Sequence, residues 1–302
     1  MAENYDDILF AQDEPAPEER QSPGYDPEAY KELKQQQRDA IYAMIDETAL
    51  TLAAPEKLKE YLDIQSRFDL YRPGNVLLIQ AQMPTASRLK TYEEWQKVGA
   101  GVRKNPQSCY ILKSGRQYTR DDGSIGQFTD IKKVFDISQT YNAPKSKQYP
   151  HPEGRTLLKA LMNKSPVLAK AADILPEGMG AYYDPQNKVI LVRPGMDAPD
   201  IFRCLSNELA VAELHRSMGE DFSRDNAAFP AYCASYVLCR ENGVDVSSFN
   251  FENAAQEFSG KDAKDIRADL GNIRDAAGEI GGRVRQALQQ ERNKQEPEQG
   301  DR

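Results

Sequence analysis

Acidic and imidazole side chains come together in one short stretch of the sequence, CLSNELAVAELHR at residues 204–216. Glu208 and His215 are seven residues apart, so on a helix they share a face, and Glu213 lies nearby. A carboxylate and an imidazole on one face are groups that can hold a metal ion for hydrolysis. A histidine near a helix C-terminus is also favoured by the helix dipole alone, and this interpretation suits His215 better.

Other signatures of catalysis are missing from the sequence. The second of the two histidines, His151, falls in a linker-like segment, and the four cysteines form no CxxC pair, as is ordinary for small buried thiols. The chain has no Gly-x-Ser-x-Gly elbow, no phosphate-binding loop and no Gly-x-Gly-x-x-Gly after a strand. We therefore predict no cofactor and no bound metal.

The charge of the chain is strongly segregated. The net charge is -8, but residues 1–54 carry 4 Lys/Arg against 13 Asp/Glu, whereas residues 55–150 carry 16 against 10. The basic residues of interest are Arg67, Arg72, Arg88, Lys90, Arg103, Lys104, Lys113, Arg116, Arg120, Lys132 and Lys133. Sequence-tolerant binding of single-stranded nucleic acid uses such a basic groove together with aromatic faces, at about 1–3 kcal/mol for each stacked base.

Aromatic residues alternate with these cations in the same segment. They are Tyr71, Tyr92, Trp95, Tyr110 and Tyr118. For each one taken singly, packing in a core is the better interpretation. Trp95, the only tryptophan, lies in a helix-like YEEW and is predicted to anchor the core of its domain.

The hydrophobic pattern divides the chain and predicts the α+β fold class. Residues 1–26 are acidic and proline-rich, which predicts disorder. Residues 27–142 are predicted as a small α+β domain with two leading helices, a compact apolar run NVLLIQAQ, a short helix and a hairpin around Asp122-Gly123. Residues 143–156 have the composition of a linker.

The second half is predicted to be mostly helical. A helix is expected over 157–175, a β-hairpin over 182–192, and further helices over 198–216, 226–242 and 262–290. This second domain spans 157–290, and residues 291–302 form a polar tail.

The first domain resembles the N-terminal single-stranded-DNA-binding domain of ArdC-type antirestriction proteins of mobile elements. The resemblance lies in YRPGNVLLIQAQ, a following Trp, GAGVRK and FDISQT. Its positions here are Asn75, Gln82, Trp95, Arg103, Lys104, Phe135, Asp136, Gln139 and Thr140. The DNA-binding residues that we predict are Asn75, Gln82, Trp95, Arg103, Lys104, Lys113 and Arg116, with Arg103 and Lys104 as the best candidates for phosphate contact.

One departure from the family pattern follows the basic pair. Where the family has a glycine-rich basic turn, this chain has NPQS at residues 105–108. Glycine lets backbone amides approach phosphate closely, so we expect weakened phosphate contact here.

The second half resembles the zincin-like metallopeptidase domain that follows in many such proteins. The resemblance implies a helix with His-Glu-x-x-His and a later acidic ligand, for which this chain has Asn207-Glu208-Leu209-Ala210-Val211 and Tyr232. An amide, an alkyl group and a phenol do not replace imidazole or carboxylate as zinc ligands. Glu208, at the general-base position, is then a relic, and the resemblance implies a pseudo-metallopeptidase whose zinc-ligand positions are lost, rather than an enzyme.

The sequence therefore predicts a noncatalytic single-stranded-DNA-binding accessory protein of a conjugative or mobile element. Conjugation or other mobile-element proteins are candidate partners. No apolar run approaches the roughly 20 residues that cross a bilayer, and no signal peptide is recognised, so we expect a cytoplasmic protein. Two alternatives stay open: a divergent hydrolase with a relocated metal site, and a pure protein-interaction scaffold whose contact is the acidic tail.

Overall fold

The computed structural model describes residues 26–119, 125–145 and 151–295, with the backbone alone for residues 27, 116–119, 125–128 and 295. The helices are α1 (Pro27–Thr51), α2 (Pro55–Arg67), α3 (Pro73–Gln82), α4 (Tyr92–Lys97), α5 (Gly154–Met162), α6 (Ala198–Met218), α7 (Arg224–Glu241), α8 (Ala254–Glu257) and α9 (Ala263–Gln295). The strands are β1 (Leu89–Lys90), β2 (Gly101–Val102), β3 (Cys109–Thr119), β4 (Ile125–Asp136), β5 (Thr140–Tyr141), β6 (Leu168–Ala171), β7 (Ala181–Asp184) and β8 (Val189–Val192). Helices and small sheets mix along the chain, so the predicted α+β class is confirmed.

The first compact unit contains α1, residues Leu77–Pro144 and residues Asp262–Lys264. In its main sheet, β4 lies between β1 and β3 and is antiparallel to both. A second, two-stranded ribbon is formed by β2 and β5. The apolar run NVLLIQAQ lies in helix α3. The residues of α3 from Leu77 onward belong to this first unit.

The two strands of the hairpin predicted in the first unit are β3 and β4, which pair antiparallel. Pairing of β3 with β4 runs from Cys109 opposite Val134 to Thr119 opposite Ile125, with a shift of register between Ser114 and Gln117. The predicted turn at Asp122-Gly123 lies outside the described residues.

The second compact unit contains residues Leu52–Val76, Lys145–Lys261 and those from Asp265 onward. In its sheet, β8 lies between β6, to which it is parallel, and β7, to which it is antiparallel. The β7–β8 hairpin falls where the sequence predicted it. Its turn is closed by the carboxylate of Asp184, which accepts hydrogen bonds from the amides of Gln186 and Asn187 at 2.9 and 3.1 Å.

Helices α6 and α7 form the centre of the second unit. They begin with capping side chains, Asp197 for α6 and Ser223 for α7, each of which accepts a hydrogen bond from an amide of the first turn. Between the two helices the buried hydroxyls of Ser206 and Ser235 are 2.7 Å apart. Since buried polar groups need partners, this bond fixes how the helices face each other.

The helix predicted over 157–175 is much shorter than expected. Helix α5 ends at Met162, and residues Leu168–Ala171 instead form strand β6. Lys164 has a positive φ of 54°, and Pro166 follows two residues later. A left-handed residue ends a helix, and proline disfavours helical backbone in the residue before it, so the chain leaves the helix here.

The boundaries of the compact units differ from the predicted domains. The sequence grouped both leading helices with residues 27–142, whereas residues Leu52–Val76, including α2, belong to the second unit. Polar contacts between α2 and α7 contribute to this grouping. The carboxylate of Asp63 on α2 accepts a hydrogen bond from the Tyr236 hydroxyl at 2.8 Å and forms an ion pair with Arg240 at 2.7 Å, both on α7.

The predicted disordered and linker segments are described only in part. Of the acidic tail, the linker and the polar tail, residues 1–25, 146–150 and 296–302 lie outside the described residues. Residues 291–295, predicted as part of the polar tail, continue α9. Among the described helices, none has the length and apolar character that crossing a bilayer requires.

Candidate nucleic-acid interface and cleft

Trp95 is part of the core of the first unit. Its side chain is fully buried beside Ala100 and Phe135, and its indole N–H donates a hydrogen bond to the carbonyl of Phe135 at 2.9 Å. The guanidinium of Arg88 lies 5.4 Å from the indole ring. A base cannot stack on a ring in this position, so Trp95, included among the predicted DNA-binding residues, positions β4 and does not offer a stacking face.

Asp136 ties three pieces of backbone together. Its Oδ1 accepts hydrogen bonds from the amides of Ser87 and Arg88 at 2.7 and 2.8 Å, and its Oδ2 accepts one from the amide of Ser138 at 2.9 Å. Burial pushes the pKa of this carboxyl up, but the hydrogen bonds outweigh burial, so the pKa of Asp136 lies below its ordinary value. The side-chain oxygen of Gln139 in turn accepts the amide hydrogen of Asp136.

Two glutamines of the family pattern, Gln82 and Gln139, together with Gln107 hold the segment around the basic pair. The side chain of Gln82 forms hydrogen bonds with both backbone groups of Tyr110. Its Oε1 accepts the N–H of Tyr110 at 2.8 Å, and its Nε2 donates to the carbonyl of Tyr110 at 3.0 Å. Gln107 donates to the carbonyl of Gln82, and Gln139 donates to the carbonyl of Gln107. Gln82 is therefore occupied within the protein, and the chain of glutamines restrains residues 103–108.

Arg103 and Lys104 are exposed at the turn that these bonds restrain. The amide of Arg103 donates to the carbonyl of Gln139 at 2.9 Å, while both cationic side chains point to solvent without an ion-pair partner among the described residues. Asn105 has a positive φ of 51°. Asparagine is one of the few residues besides glycine that tolerates this conformation, so the turn keeps a left-handed residue although the family glycines are absent.

Three further predicted DNA-binding residues, Lys113, Asn75 and Arg116, lie outside the turn that carries Arg103 and Lys104. Lys113 forms an ion pair with Glu94 at 2.7 Å, which neutralises its charge locally. Asn75 is partly buried in the first turn of α3, among residues of the second unit. The side chain of Arg116 lies outside the described residues. The structure thus retains Arg103 and Lys104 as the pair available to a ligand.

Sequence reasoning missed one exposed aromatic residue. Tyr141 follows FDISQT directly, pairs with Gly101 across the β2–β5 ribbon, and is 54% exposed. Its ring covers Gly101 so closely that a Cβ at that position would lie 2.2 Å from the ring carbon Cζ. The signal available in the sequence was the alternation along β5, which places Thr140 and Tyr141 on opposite faces.

Glu208 is the acidic centre of the second unit. It is buried against strand β7, where its Oε2 accepts a hydrogen bond from the amide of Tyr183 at 2.7 Å. One terminal nitrogen of Arg224 lies 2.8 and 2.9 Å from the two carboxylate oxygens, and the amide of Asn207 donates to Oε1 at 3.0 Å. Each oxygen accepts two hydrogen bonds, which is the capacity of a carboxylate.

The positions that the zincin-like resemblance singled out surround one cleft. Asn207 and Tyr232 line two adjoining cavities of about 300 and 430 Å³, Glu208 lines the first and Val211 the second. Burial raises the pKa of the Tyr232 phenol, and its oxygen accepts the amide hydrogen of Asn250 at 2.8 Å. Helices α6 and α7 therefore bring these four residues to the walls of the two cavities.

The alternative metal site around His215 is not assembled. The imidazole Nδ1 of His215 is hydrogen-bonded to the hydroxyl of Tyr183 at 3.1 Å, and its ring stacks on Phe222 at 4.2 Å. Glu213 is engaged by Arg216 and Arg283. Within the described parts of the chain, no three His, Cys, Asp or Glu residues are grouped so as to hold a metal ion.

Comparisons with known proteins agree with the predicted resemblance. Residues 31–150 match the family model of the N-terminal domain of anti-restriction factor ArdC. An uncharacterized protein of Bacillus anthracis is 21% identical over 275 residues, covering 74% of this chain. The chain spans 46% of that relative, less than half of its length.

Solved structures of the antirestriction ArdC protein from the R388 plasmid are also similar. The Mn(II)-bound structure has a TM-score of 0.53 and 16% identity, and the match covers 81% of this chain and 97% of the other. The metal-free structure has a TM-score of 0.49 and 17% identity, covering 72% and 86%.

Over residues 31–150 the first domain is thus similar to the N-terminal domain of anti-restriction factor ArdC. The chain is also similar in fold to the ArdC protein of R388.

The bonds of Asp136 predict how the first unit responds to acid. A carboxyl whose pKa is lower in the folded state contributes stability that is present above its unfolded pKa near 3.9 and is lost as the pH falls through the folded value. Asp136→Asn should therefore cost about 2 kcal/mol at pH 7, from loss of charge-assisted hydrogen bonds, and flatten the acid limb of the stability curve. Urea unfolding followed by Trp95 fluorescence measures both. The exposed Asp39→Asn serves as control, and an unchanged acid limb in Asp136→Asn would contradict the assignment.

The Glu208–Arg224 pair predicts a second effect on stability. Arg224→Ala leaves a buried carboxylate that is only 2% exposed without its cation, and should destabilise the protein by about 3 kcal/mol, since Arg224 is itself 30% exposed. Arg216→Ala is the matched control, because Arg283 still pairs with Glu213 after that change, and it should cost at most about 1 kcal/mol. Urea unfolding followed by circular dichroism tests the difference. Equal effects of the two changes would show that Glu208 does not depend on Arg224.

Proposed function

We propose that this ArdC-type chain is a noncatalytic single-stranded-DNA-binding accessory protein of a conjugative or mobile element. Its first unit binds the strand, and its second unit keeps a metallopeptidase-like cleft without the reaction. The observation that carries the binding half of the proposal is the exposed Arg103–Lys104 pair on a turn braced by Gln82, Gln107 and Gln139.

A braced cationic turn suits phosphate binding for an energetic reason. Ordering a mobile loop on a ligand costs conformational entropy, and hydrogen bonds that restrain the loop beforehand reduce that cost. The carbonyl of Gln139 already accepts the amide hydrogen of Arg103, so the backbone at Arg103 is tied to the end of the β2–β5 ribbon. Two exposed cations at consecutive positions, Arg103 and Lys104, are thereby available to a phosphate backbone.

A single strand suits this surface better than a duplex. The described surface offers a short two-stranded ribbon with adjacent cations and one exposed tyrosine. Sequence-tolerant binders of single strands combine positive charge with aromatic faces, because unpaired bases expose theirs. In a duplex the base faces are covered by their neighbours, so only the phosphates would be recognised.

The noncatalytic half of the proposal is supported by the bonds of Glu208. A general base must accept a proton from a water molecule at hydrogen-bonding distance. The carboxylate of Glu208 already accepts four hydrogen bonds, from Asn207, Tyr183 and twice from Arg224, and is buried. Its oxygens have no acceptor capacity left for water, which fits a structural role.

The residues of the cleft do not fit a catalytic metal. The ArdC protein of R388 has been crystallised with Mn(II), a hard cation that takes carboxylate, imidazole and water ligands. The cleft of this chain that the zincin-like resemblance singled out is lined by the amide of Asn207, the side chain of Val211 and the protonated phenol of Tyr232. These three groups do not form a ligand set for a catalytic metal.

DNA binding is tested by titrating labelled single-stranded oligonucleotides at several salt concentrations. The unaltered protein should bind them more tightly than duplex, and its affinity should fall as salt rises. Arg103→Ala/Lys104→Ala removes two phosphate contacts, so the slope of log K against log salt should become shallower by about 1.4. Arg155→Ala/Lys159→Ala, which removes two exposed cations from α5, is the matched control and should leave the slope unchanged.

The outcomes of that titration separate the possibilities. Equal affinity for duplex, or an unaltered slope in Arg103→Ala/Lys104→Ala, contradicts the proposed interface. Absence of binding even at low salt favours the interaction-scaffold interpretation.

Metal content tests the second half of the proposal. The purified protein should contain no stoichiometric zinc or manganese by elemental analysis, and added Mn(II) should not raise its melting temperature. Asn207→His/Val211→His/Tyr232→Glu supplies two imidazoles one helical turn apart and a carboxylate, so it should acquire one zinc ion per chain if the register is right. A tight equivalent of metal in the unaltered protein would instead favour the relocated-hydrolase alternative.

A further inference from the structure

Tyr141 is an exposed aromatic residue whose ring also contacts the backbone of the neighbouring strand. It is 54% exposed, yet its ring lies over Gly101, its direct cross-strand partner. We propose that Tyr141 is a stacking platform for one base of the single strand whose backbone contacts Arg103. This inference rests on the proposed function and names the nucleotide contact that it requires.

The absence of a side chain at Gly101 leaves the space that the ring of Tyr141 occupies. A Cβ at residue 101 would lie 2.2, 2.3 and 2.6 Å from Cζ, the hydroxyl oxygen and Cε1 of Tyr141, distances that no side chain can adopt. The ring therefore lies against the backbone of β2 at Gly101, while 54% of the residue remains exposed. A ring held in this way loses little conformational entropy when a base stacks on it.

The register of the ribbon places Arg103 beside this ring. Gly101 pairs with Tyr141 and Val102 with Thr140, and the amide of Arg103 donates to the carbonyl of Gln139, which continues the same register. Side chains alternate along a strand, so residues 101, 103 and 141 share one face. Diagonal neighbours on a ribbon are about 7–8 Å apart, within reach of a long arginine side chain. A base on Tyr141 and its phosphate on Arg103 are thus contacts of a single nucleotide.

The other aromatic residues of this unit whose side chains the structure describes do not offer the same arrangement. Trp95, Tyr110 and Phe135 are buried. Tyr92 is 48% exposed, but it lies at the start of α4, outside the β2–β5 ribbon. Among the described contacts, its ring does not lie against a glycine. Because every base has a flat face, stacking on Tyr141 would tolerate any sequence.

Oligonucleotides that carry 2-aminopurine test the proposal, since the fluorescence of this base is quenched when it stacks. Tyr141→Leu keeps an apolar side chain but removes the ring, so affinity should fall about 5- to 150-fold and quenching should be lost at one nucleotide position. Tyr141→Phe should recover most of the lost affinity and the quenching. Tyr42→Leu, which replaces a tyrosine of α1 that is 45% exposed, is the matched control.

A second variant adds a side chain at residue 101 and leaves Tyr141 itself unchanged. Gly101→Ala should displace Tyr141 and reproduce the loss of quenching, while Trp95 fluorescence reports that the first unit is still folded. Binding of Tyr141→Leu equal to that of the unaltered protein overturns this inference alone. Failure of Tyr141→Phe to recover binding also overturns it, because the hydroxyl would then be the contact. Absence of binding by the unaltered protein overturns the proposed function itself.

Discussion

The carboxylate of Asp136 is the point on which the first unit depends. It ends β4, and its hydrogen bonds reach the amides of Ser87 and Arg88 on one side and of Ser138 on the other. Because these bonds set where the chain turns after β4, they also set where Gln139 and Tyr141 lie. Through Gln139 the same arrangement reaches Arg103. One buried charge thus positions both the cationic turn and the exposed ring, while Trp95 anchors the strand that carries it.

Glu208 plays a comparable part in the second unit. Its charge is neutralised by Arg224 and its oxygens are saturated by Asn207 and the Tyr183 amide, so it fastens α6 to the edge of β7. Arg224 also lies over the Tyr182 ring at 4.4 Å, which adds a contact from α7 to the same strand. Removal of one partner of a buried ion pair is strongly destabilising, so the pairing with Arg224 gives Glu208 a structural role that requires no catalysis.

Much of the fold could be predicted from local sequence. The helices predicted over 198–216, 226–242 and 262–290 are present as α6, α7 and α9, and the β7–β8 hairpin has an Asp-Pro-Gln-Asn turn closed by hydrogen bonds to Asp184 within the turn. The predicted helix over 157–175 was wrong because Lys164 takes a left-handed conformation that composition does not reveal. The grouping of α2 with the second unit depends on Asp63 meeting Tyr236 and Arg240, more than 170 residues away along the chain.

The amino-acid sequence by itself determined the resemblance of the first domain to the ArdC N-terminal domain, the adjacent cations Arg103 and Lys104 and the absence of histidine at residues 207 and 211, because these depend on residue identity and order. Only the tertiary structure decided which side chains of the first unit are exposed. Gln82, Trp95 and Asp136 are occupied by internal hydrogen bonds, whereas Tyr141 is exposed over Gly101. The reason is physical: a side chain's availability depends on the partners that satisfy or cover it, and those partners come from distant parts of the chain.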